Sequence, residues 1–426
     1  MKKKIFYNNL NYKNNLIFIY SLILFFFFNF VIQNDLTHFY INPIKDEYEN
    51  FVIFGDWTYV IDSAICYKKG ADLFLNNYCD VTNRSYHYGS ILLFLPFIEK
   101  FYNFYYLFFP LVSCFLVILF LTYYFKPKKI KDFFIIFLLV ISTPIMLSFE
   151  RANIESLIFL ILILISYVRK TYIIHSLILL ATSMKFYPLV SSIILLSKKK
   201  NIILLLNIFI LGLFLATIFY VERINLIGIY NISDKIHPQS VDNVGMYLFS
   251  FQLLPKLAES TSLHLNLLNS DYIYITVYLF LIVIFLYIIF KNSSLKNKQI
   301  YLINLNLNEF EDRLFLISST MLIAIYFISI SYLYKEIYFL GLLPFLRKNF
   351  LYKKNFYINS FYILILLKFI MLTLFWVLQT SFFGTSAFIK GFNIFTKGII
   401  DNVLIIFLIL LLLKFIKENI KLRLKL

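Results

Sequence analysis

A few ionisable side chains set among long apolar runs are the residues best suited to chemistry in this chain. Asp56 follows a glycine, and Arg151 and Glu155 lie four residues apart. Lys185 and Lys335 each stand close to apolar stretches. Because an ionisable group at membrane depth is costly, each of these residues is a functional candidate. A carboxylate that faces several cations can remove a proton from a hydroxyl group while the cations stabilise a departing phosphate.

Most of these residues also have a purely structural interpretation. Asp56 could cap the start of a helix, because Asp is a favoured capping residue. Asp62 lies six residues further on and would point away from Asp56 into solvent. Arg151 and Glu155, at a spacing of four, could form an ordinary helical ion pair. Lys185 has no carboxylate within one helical turn, so we expect it to meet a ligand or a partner on another helix.

The histidines and cysteines carry weaker signals. His87 and His237 lie in predicted loops, where a histidine is more often structural than catalytic. Cys66, Cys79 and Cys114 match no metal-ligand spacing, so we predict no metal site. A disulfide between Cys66 and Cys79 is permitted because both lie in one loop, but we expect two unpaired thiols.

The composition indicates what kind of scaffold must position these residues. The chain has 426 residues, of which 61% are hydrophobic and 15% charged, whereas an ordinary globular domain has roughly 25% charged residues. Apolar runs of about 18 or more residues, enough to cross a hydrocarbon core of about 30 Å, recur along the chain. These features exclude a soluble enzyme and predict an all-α polytopic membrane protein that forms one domain over residues 1–426.

The distribution of charge predicts the orientation of the chain. Lys and Arg number 40 against 23 Asp and Glu, a net charge of +17. The basic residues cluster in short segments between apolar runs, which makes those segments cytoplasmic. No loop is large enough for a basic nucleic-acid-binding domain, so nucleic acid is not an expected partner. The basic segments are Lys2–Lys4, Lys126–Lys131, Arg169–Lys170, Lys198–Lys200, Lys291–Lys298, Arg347–Lys354 and Lys414–Lys425.

The apolar runs and the basic segments together predict about 10–12 transmembrane helices, with both termini in the cytoplasm. A long acidic loop, residues 34–100, follows the first span outside, and a second outer loop covers residues 222–271. The stretch 172–197 has basic residues at both ends and Pro188 near its middle, so we predict two half-helices that meet near the outer surface. The other predicted spans are 15–33, 104–125, 133–149, 154–168, 202–221, 272–290, 314–331, 337–346, 356–377 and 400–416.

Four segments carry a resemblance to a known family. The first outer loop contains Gly55-Asp56-Trp57-Thr58-Tyr59, Ser63-Ala64, Gly70, Asp72, Tyr86-His87-Tyr88 and Pro96. The later segments are Arg151-Ala152-Asn153-Ile154-Glu155, Ala181-Thr182-Ser183-Met184-Lys185-Phe186-Tyr187-Pro188, and Ser331-Tyr332-Leu333-Tyr334-Lys335-Glu336 before Leu342-Leu343-Pro344. In this order, over about residues 50 to 345, they resemble the membrane mannosyltransferases of glycosyltransferase family 87. The chain departs from the family at Ala152, where the family usually has Gly, and at Glu155, where it usually has Asp.

The resemblance implies a GT-C-like fold in the bacterial cytoplasmic membrane, with an active site on the extracytoplasmic face. It implies a polyprenyl-phosphate donor carrying a hexose, mannose in the first instance, and inverting transfer to a lipid or glycan hydroxyl of the cell envelope without a metal or cofactor. The implied roles are general base for Asp56, donor phosphate contacts for Arg151, Lys185 and Lys335, and further acceptor or donor contacts for His87, Tyr88, Asn153, Glu155 and His237.

Two other classes of protein share part of the pattern. A transporter or flippase for a lipid-linked sugar would also have many spans, broken helices and buried cations. It would need no outer carboxylate base, and its site would lie near the midplane. An O-antigen-type polymerase is generally marked by a large late outer loop rich in arginine, whereas the largest predicted outer loop here comes early.

Overall fold

The structure is a computed structural model of the chain. It describes residues 16–30, 54–73, 79, 86, 88–125, 130–197, 201–222, 243–244, 305–328, 331–352, 356–381 and 400–417. Several of the predictions fall outside these ranges, namely the span 272–290, His87, His237 and the basic segments Lys2–Lys4, Lys198–Lys200 and Lys291–Lys298. Of the predicted second outer loop, only Glu222 and the pair 243–244 are described.

The described part of the chain is mainly helical, which confirms the all-α prediction. The α-helices are α1 (Leu16–Phe30), α2 (Gly55–Lys68), α3 (Phe109–Phe125), α4 (Ile130–Val140), α5 (Thr143–Glu150), α6 (Ile154–Tyr167), α7 (Thr171–Met184), α8 (Asn201–Val221), α9 (Phe310–Ile328), α10 (Leu343–Tyr352), α11 (Phe356–Ser381) and α12 (400–417). A turn of π-helix, Phe104–Phe108, leads directly into α3. Three 3₁₀-helices cover Ser90–Phe94, Tyr187–Ser197 and Leu333–Leu342.

Proline and local backbone geometry explain where two predicted elements change direction. The stretch predicted as a third span is two helices, α4 and α5, which meet at an angle of 54°. Pro144 lies in the first turn of α5, where proline is tolerated because that backbone N–H has no helical partner. The predicted break in 172–197 is confirmed, because α7 ends at Met184 and Lys185 has an extended backbone (φ −150°, ψ 148°). The second half of this hairpin is a 3₁₀-helix that packs against α7.

The core lies where α9 packs against α6, α10 and the two 3₁₀-helices Tyr187–Ser197 and Leu333–Leu342. Helix α5 packs against the same Leu333–Leu342 segment. Gly341 allows the Leu333–Leu342 segment to approach α9 closely, because a Cβ atom at this position would lie 2.0 Å from Ser318 Oγ on α9. Two short strands, β1 (Asn243–Val244) and β2 (Ser331–Tyr332), pair antiparallel immediately before that segment.

Within the described ranges, the helix Phe104–Phe125 is long and apolar enough to cross a bilayer by itself. The bent pair α4 and α5 meets the same criterion when its two helices are counted as one span. One or two such helices do not distinguish a membrane protein from a soluble one with an apolar core helix. Described helices also cover most of the predicted spans 15–33, 154–168, 202–221, 314–331, 356–377 and 400–416. The predicted span 337–346 is instead divided between the Leu333–Leu342 3₁₀-helix and α10.

Candidate functional site

The start of α2 is fixed by the turn between α5 and α6. The backbone N–H of Phe54 donates to the carbonyl of Glu150 at 2.9 Å, and the N–H of Asp56 donates to the carbonyl of Arg151 at 3.1 Å. Two backbone positions on this contact have left-handed geometry, Phe54 with φ 58° and Ala152 with φ 46°. Such geometry is uncommon for residues other than glycine. Ala152 therefore adopts a backbone conformation that glycine favours.

Asp56 and Asn153 form a buried pair across this contact. The Nδ2 of Asn153 donates to Oδ2 of Asp56 at 2.6 Å. The Oδ1 of the same amide accepts from the backbone N–H of Glu155 at 3.1 Å, which caps α6. One side chain therefore begins a helix and holds the carboxylate of Asp56. Asp56 is therefore buried and hydrogen-bonded to Asn153, and does not merely cap a helix at the surface.

The second group of site residues centres on the fully buried Glu155. Lys185 Nζ lies 2.7 Å from Oε1 of Glu155. The hydroxyl of Tyr338 donates to Oε2 at 2.5 Å, and the hydroxyl of Tyr187 donates to the same oxygen. Lys335, itself buried, lies with Nζ 5.7 Å from the centre of the Tyr187 ring. We refer to these five residues as the Glu155 cluster.

The Glu155 cluster contains two lysines and one carboxylate, so it carries one net positive charge when all three are ionised. Burial lowers the pKa of Lys335 to about 8, and the nearby charge of Lys185 acts in the same direction while Glu155 opposes it. A cation kept in low dielectric beside a second cation is stabilised by an anion. The cluster therefore has the charge and burial expected of an anion-binding site.

A segment of the first loop closes one side of the cluster. Lys185 Nζ lies 4.9 Å from the centre of the Tyr88 ring, within the range of a cation–π contact. The N–H of Gly89 donates to the carbonyl of Met184 at 2.9 Å. The next residue, Ser90, donates its backbone N–H to Glu222 Oε1 at 2.8 Å, at the end of α8. The loop is thereby joined to the break in the hairpin and to α8.

The predicted site residues thus lie in two groups that Asn153 links. Asp56 and Asn153 form one group, with the Arg151 backbone beside them. Glu155, Lys185 and Lys335 form the other. Arg151 lies in the turn before α6, so it does not share a helix with Glu155, and the helical ion pair is wrong. Lys185 has the cross-helix partner that its apolar surroundings predicted.

Sequence reasoning missed several groups at the site. Tyr187 was noted only as part of the segment that resembles the family, without a role of its own, and Tyr338 was not distinguished from the many packing tyrosines. The carboxylate of Glu150, the residue before Arg151, is also buried, and its Oε2 has no hydrogen-bond partner among the described residues. Its position directly before the Arg151–Glu155 segment could have identified Glu150 as a candidate from the sequence.

The prediction of unpaired thiols in the first loop is wrong. Cys66 and Cys79 form a disulfide, with their Cα atoms 6.4 Å apart. The bond ties the end of α2 to Cys79, which lies 13 residues further along the chain. Cys114 is a free, buried thiol on α3.

No group of three or more His, Cys, Asp or Glu side chains suited to a metal ion occurs in the described ranges. Comparison of the chain with protein-family models, with curated proteins and with solved structures finds no match.

Proposed function

We propose that the protein is a membrane glycosyltransferase that moves a hexose from a polyprenyl-phosphate donor to a hydroxyl of a lipid or glycan. Mannose is the first sugar to test, because the sequence resembles a family of mannosyltransferases. The observation that carries the proposal is the buried Glu155 cluster, with its excess positive charge, next to the Asp56–Asn153 pair. This arrangement supplies a carboxylate base and an anion-binding group at one place.

The proposed mechanism is a single displacement. The acceptor oxygen attacks the anomeric carbon, the bond from that carbon to the phosphate oxygen breaks, and the phosphate keeps the electron pair. Asp56 takes the proton from the attacking hydroxyl. Lys335 and Lys185 stabilise the charge that develops on the phosphate, with Arg151 as a further contact. No acid is needed to protonate the leaving group, because a phosphate leaves as an anion.

The exposed surface of the described helices supports a membrane location. Large aromatic side chains are open to the surroundings at Phe26 on α1 (66% exposed), Phe134 on α4 (56%) and Phe209 on α8 (61%). Many other apolar residues are exposed on the same helices. Soluble monomers rarely expose extensive apolar surface, which instead marks contact with a membrane or a partner. A lipid-linked donor would reach such a protein laterally from the bilayer.

The distribution of charge along the helices supports an outward-facing site. Glu155 lies at the first turn of α6, and Tyr167 ends that helix about 20 Å away at ~1.5 Å per residue. At that far end, Arg313 donates to the carbonyl of Ile165 at 2.8 Å, and Arg169 donates to the carbonyl of Leu307 at 2.7 Å. Basic residues at the end opposite the site fit the orientation that the positive-inside rule predicts.

The deciding experiment measures sugar transfer with the purified protein in lipid vesicles that contain radiolabelled polyprenyl-phosphate mannose. The Asp56→Asn variant should lose at least ~100-fold of the transfer rate while it still binds donor, since a general base contributes about 10²–10⁴-fold. Asp62→Asn is the matched control, because Asp62 lies on the same helix outside the proposed machinery, and it should transfer at nearly the wild-type rate.

Other outcomes would contradict specific parts of the proposal. Equal transfer by wild type and Asp56→Asn would remove Asp56 from the mechanism. Flipping of the lipid-linked sugar by wild type without any transfer would replace the transferase with a flippase. If wild type is inactive in both assays, the mannose donor is wrong, and the assay is repeated with other polyprenyl-phosphate hexoses.

A further inference from the structure

A second buried ion cluster lies behind the proposed site. Lys368 on α11 has a side chain that is 1% exposed, and its Nζ lies 3.1 Å from Oε1 of Glu336. The same amine contacts Oδ1 of Asp401 on α12. Its Nζ also lies 4.6 Å from the centre of the Phe339 ring. We call Lys368, Glu336 and Asp401 the buried triad.

The triad joins the segment that carries Lys335 to two other helices. Glu336 is the next residue after Lys335 in the Leu333–Leu342 3₁₀-helix. Adjacent residues of a 3₁₀-helix point about 120° apart, because there are about three residues per turn. The side chain of Lys335 thus points toward Glu155 on one side of the segment, and the side chain of Glu336 contacts Lys368 on another side.

The cost of burying three charges indicates that the triad constrains the segment. An ion removed from water must be compensated by a partner of opposite charge, and loss of one partner from a buried pair costs several kcal/mol. The triad therefore favours one position of the Leu333–Leu342 segment over any shift that would separate Glu336 from Lys368. The position of Lys335 follows from that constraint, since the two residues are consecutive.

We propose that the buried triad is a positioning device that holds Lys335 in the Glu155 cluster, and through it sets the affinity of the site for phosphate. The role of Lys335 as a phosphate contact rests on the proposed function. The positional coupling between the triad and Lys335 does not, so the two can be tested separately.

The test is a double-mutant cycle on the affinity for a short-chain polyprenyl phosphate without sugar. Lys368→Met should raise the Kd about fivefold or more in the wild-type background, a typical coupling for residues that act through one network. In a Lys335→Met background the same change should alter the Kd less than about twofold, because the residue through which it acts is gone. Lys368→Arg keeps the charge and should restore most of the affinity.

Two further variants keep the cycle interpretable. Glu336→Gln removes the negative charge that faces Lys368 and leaves Lys368 with Asp401 as a neutral pair, so it replaces Lys368→Met if that variant does not fold. Tyr326→Phe is the matched control, because it removes the hydrogen bond of Tyr326 to Asn402, the neighbour of Asp401 on α12. This control should leave the Kd unchanged.

Equal effects of Lys368→Met in the two backgrounds would overturn the positioning role. If wild type binds no polyprenyl phosphate, the proposed function fails and the same cycle is measured on the midpoint of thermal unfolding. Non-additive changes in that midpoint would support coupling of the triad to Lys335, and additive changes would overturn it.

Discussion

The carboxylate of Glu155 is fully buried and accepts hydrogen bonds from one lysine and two tyrosine hydroxyls, which come from two separate parts of the chain. These partners come from the hairpin and from the Leu333–Leu342 segment, so the group forms only in the folded protein. Lys335 lies beside both Lys185 and Glu155, so the cluster holds two cations and one carboxylate, and an added anion would be stabilised there. The proposed donor phosphate would complete the electrostatic balance of the site.

The protonation of Lys335 predicts how phosphate binding depends on pH. Its pKa is lowered from the ordinary lysine value to about 8, chiefly by burial. The amine is therefore charged below about pH 8 and loses its charge as the pH rises through that value. We expect the Kd for a short-chain polyprenyl phosphate to be lowest below about pH 8 and to rise up to ~10-fold per pH unit above it. Isothermal titration calorimetry between pH 6 and about pH 10 would measure this dependence.

The Lys335→Arg variant is the control for the pH dependence, because arginine stays protonated over this range. Its Kd should be nearly constant where that of wild type rises. The same rise in both proteins would assign the dependence to another group.

The sequence was informative about single residues and uninformative about their partners. Asp56, Lys185 and Lys335 stand out because charge is rare in apolar surroundings. The pairing of Lys185 with Glu155 joins residues 30 positions apart, and no helical spacing encodes it. Lys368 is an ionisable residue inside a predicted span and could have been singled out on that ground. Its partners could not, because they depend on the packing of α11 and α12.

At the level of elements, the end of α7 and the segment of residues 88–94 fix each other's position. Gly89 lies so close to α7 that a Cβ atom there would be 1.7 Å from the carbonyl oxygen of Ser183. This contact places the Tyr88 ring beside Lys185. The break of the hairpin was predictable from Pro188 and the flanking charges. Its contact with the first loop was not, since it depends on the absence of a single side chain.

Gly89→Ala should therefore displace the loop from α7. We expect a loss of about 1–3 kcal/mol in the free energy of unfolding, the usual cost of overpacking. Gly212→Ala is the matched control, because a Cβ atom at Gly212 on α8 would meet no atom within 4 Å. That substitution should be neutral or stabilising by up to ~1 kcal/mol. Thermal unfolding of both variants measures the difference, and equal midpoints would show that the close contact is absent.

For the whole molecule, the groups of the proposed site lie at one end of α6, and Arg169 and Arg313 lie at the other. The apolar run lengths predicted most of the described helices, whereas the membrane orientation inferred from the lysine clusters stays a prediction. The bend between α4 and α5 and the division of the predicted span 337–346 were not predicted, because run length does not encode local backbone direction. The disulfide was also missed, since sequence separation does not fix the distance between two thiols.

The disulfide provides a test of orientation. In Cys66→Ser the thiol of Cys79 is released, and a membrane-impermeant maleimide should label it in intact cells. Wild type should be labelled only after reduction, and Cys114 should remain unlabelled because it is buried. Labelling that requires permeabilised cells would place this loop in the cytoplasm and reverse the proposed topology. The variant should also lose roughly 3 kcal/mol of stability, the amount expected for a closed loop of this size.

Lys335 and Glu336 are consecutive residues of opposite charge; Lys335 is buried near Glu155 and Lys185, and Glu336 is buried against Lys368. Exchange of these two residues would leave the length, composition and net charge of the chain unaltered. It would nevertheless set a carboxylate toward Glu155 and an amine toward Lys368, so that like charges would meet on both sides of one segment. The charge pairing on the two sides of the segment therefore depends on the order of these two residues and not on composition. A deletion or insertion of one residue just before them would disrupt the same pairing.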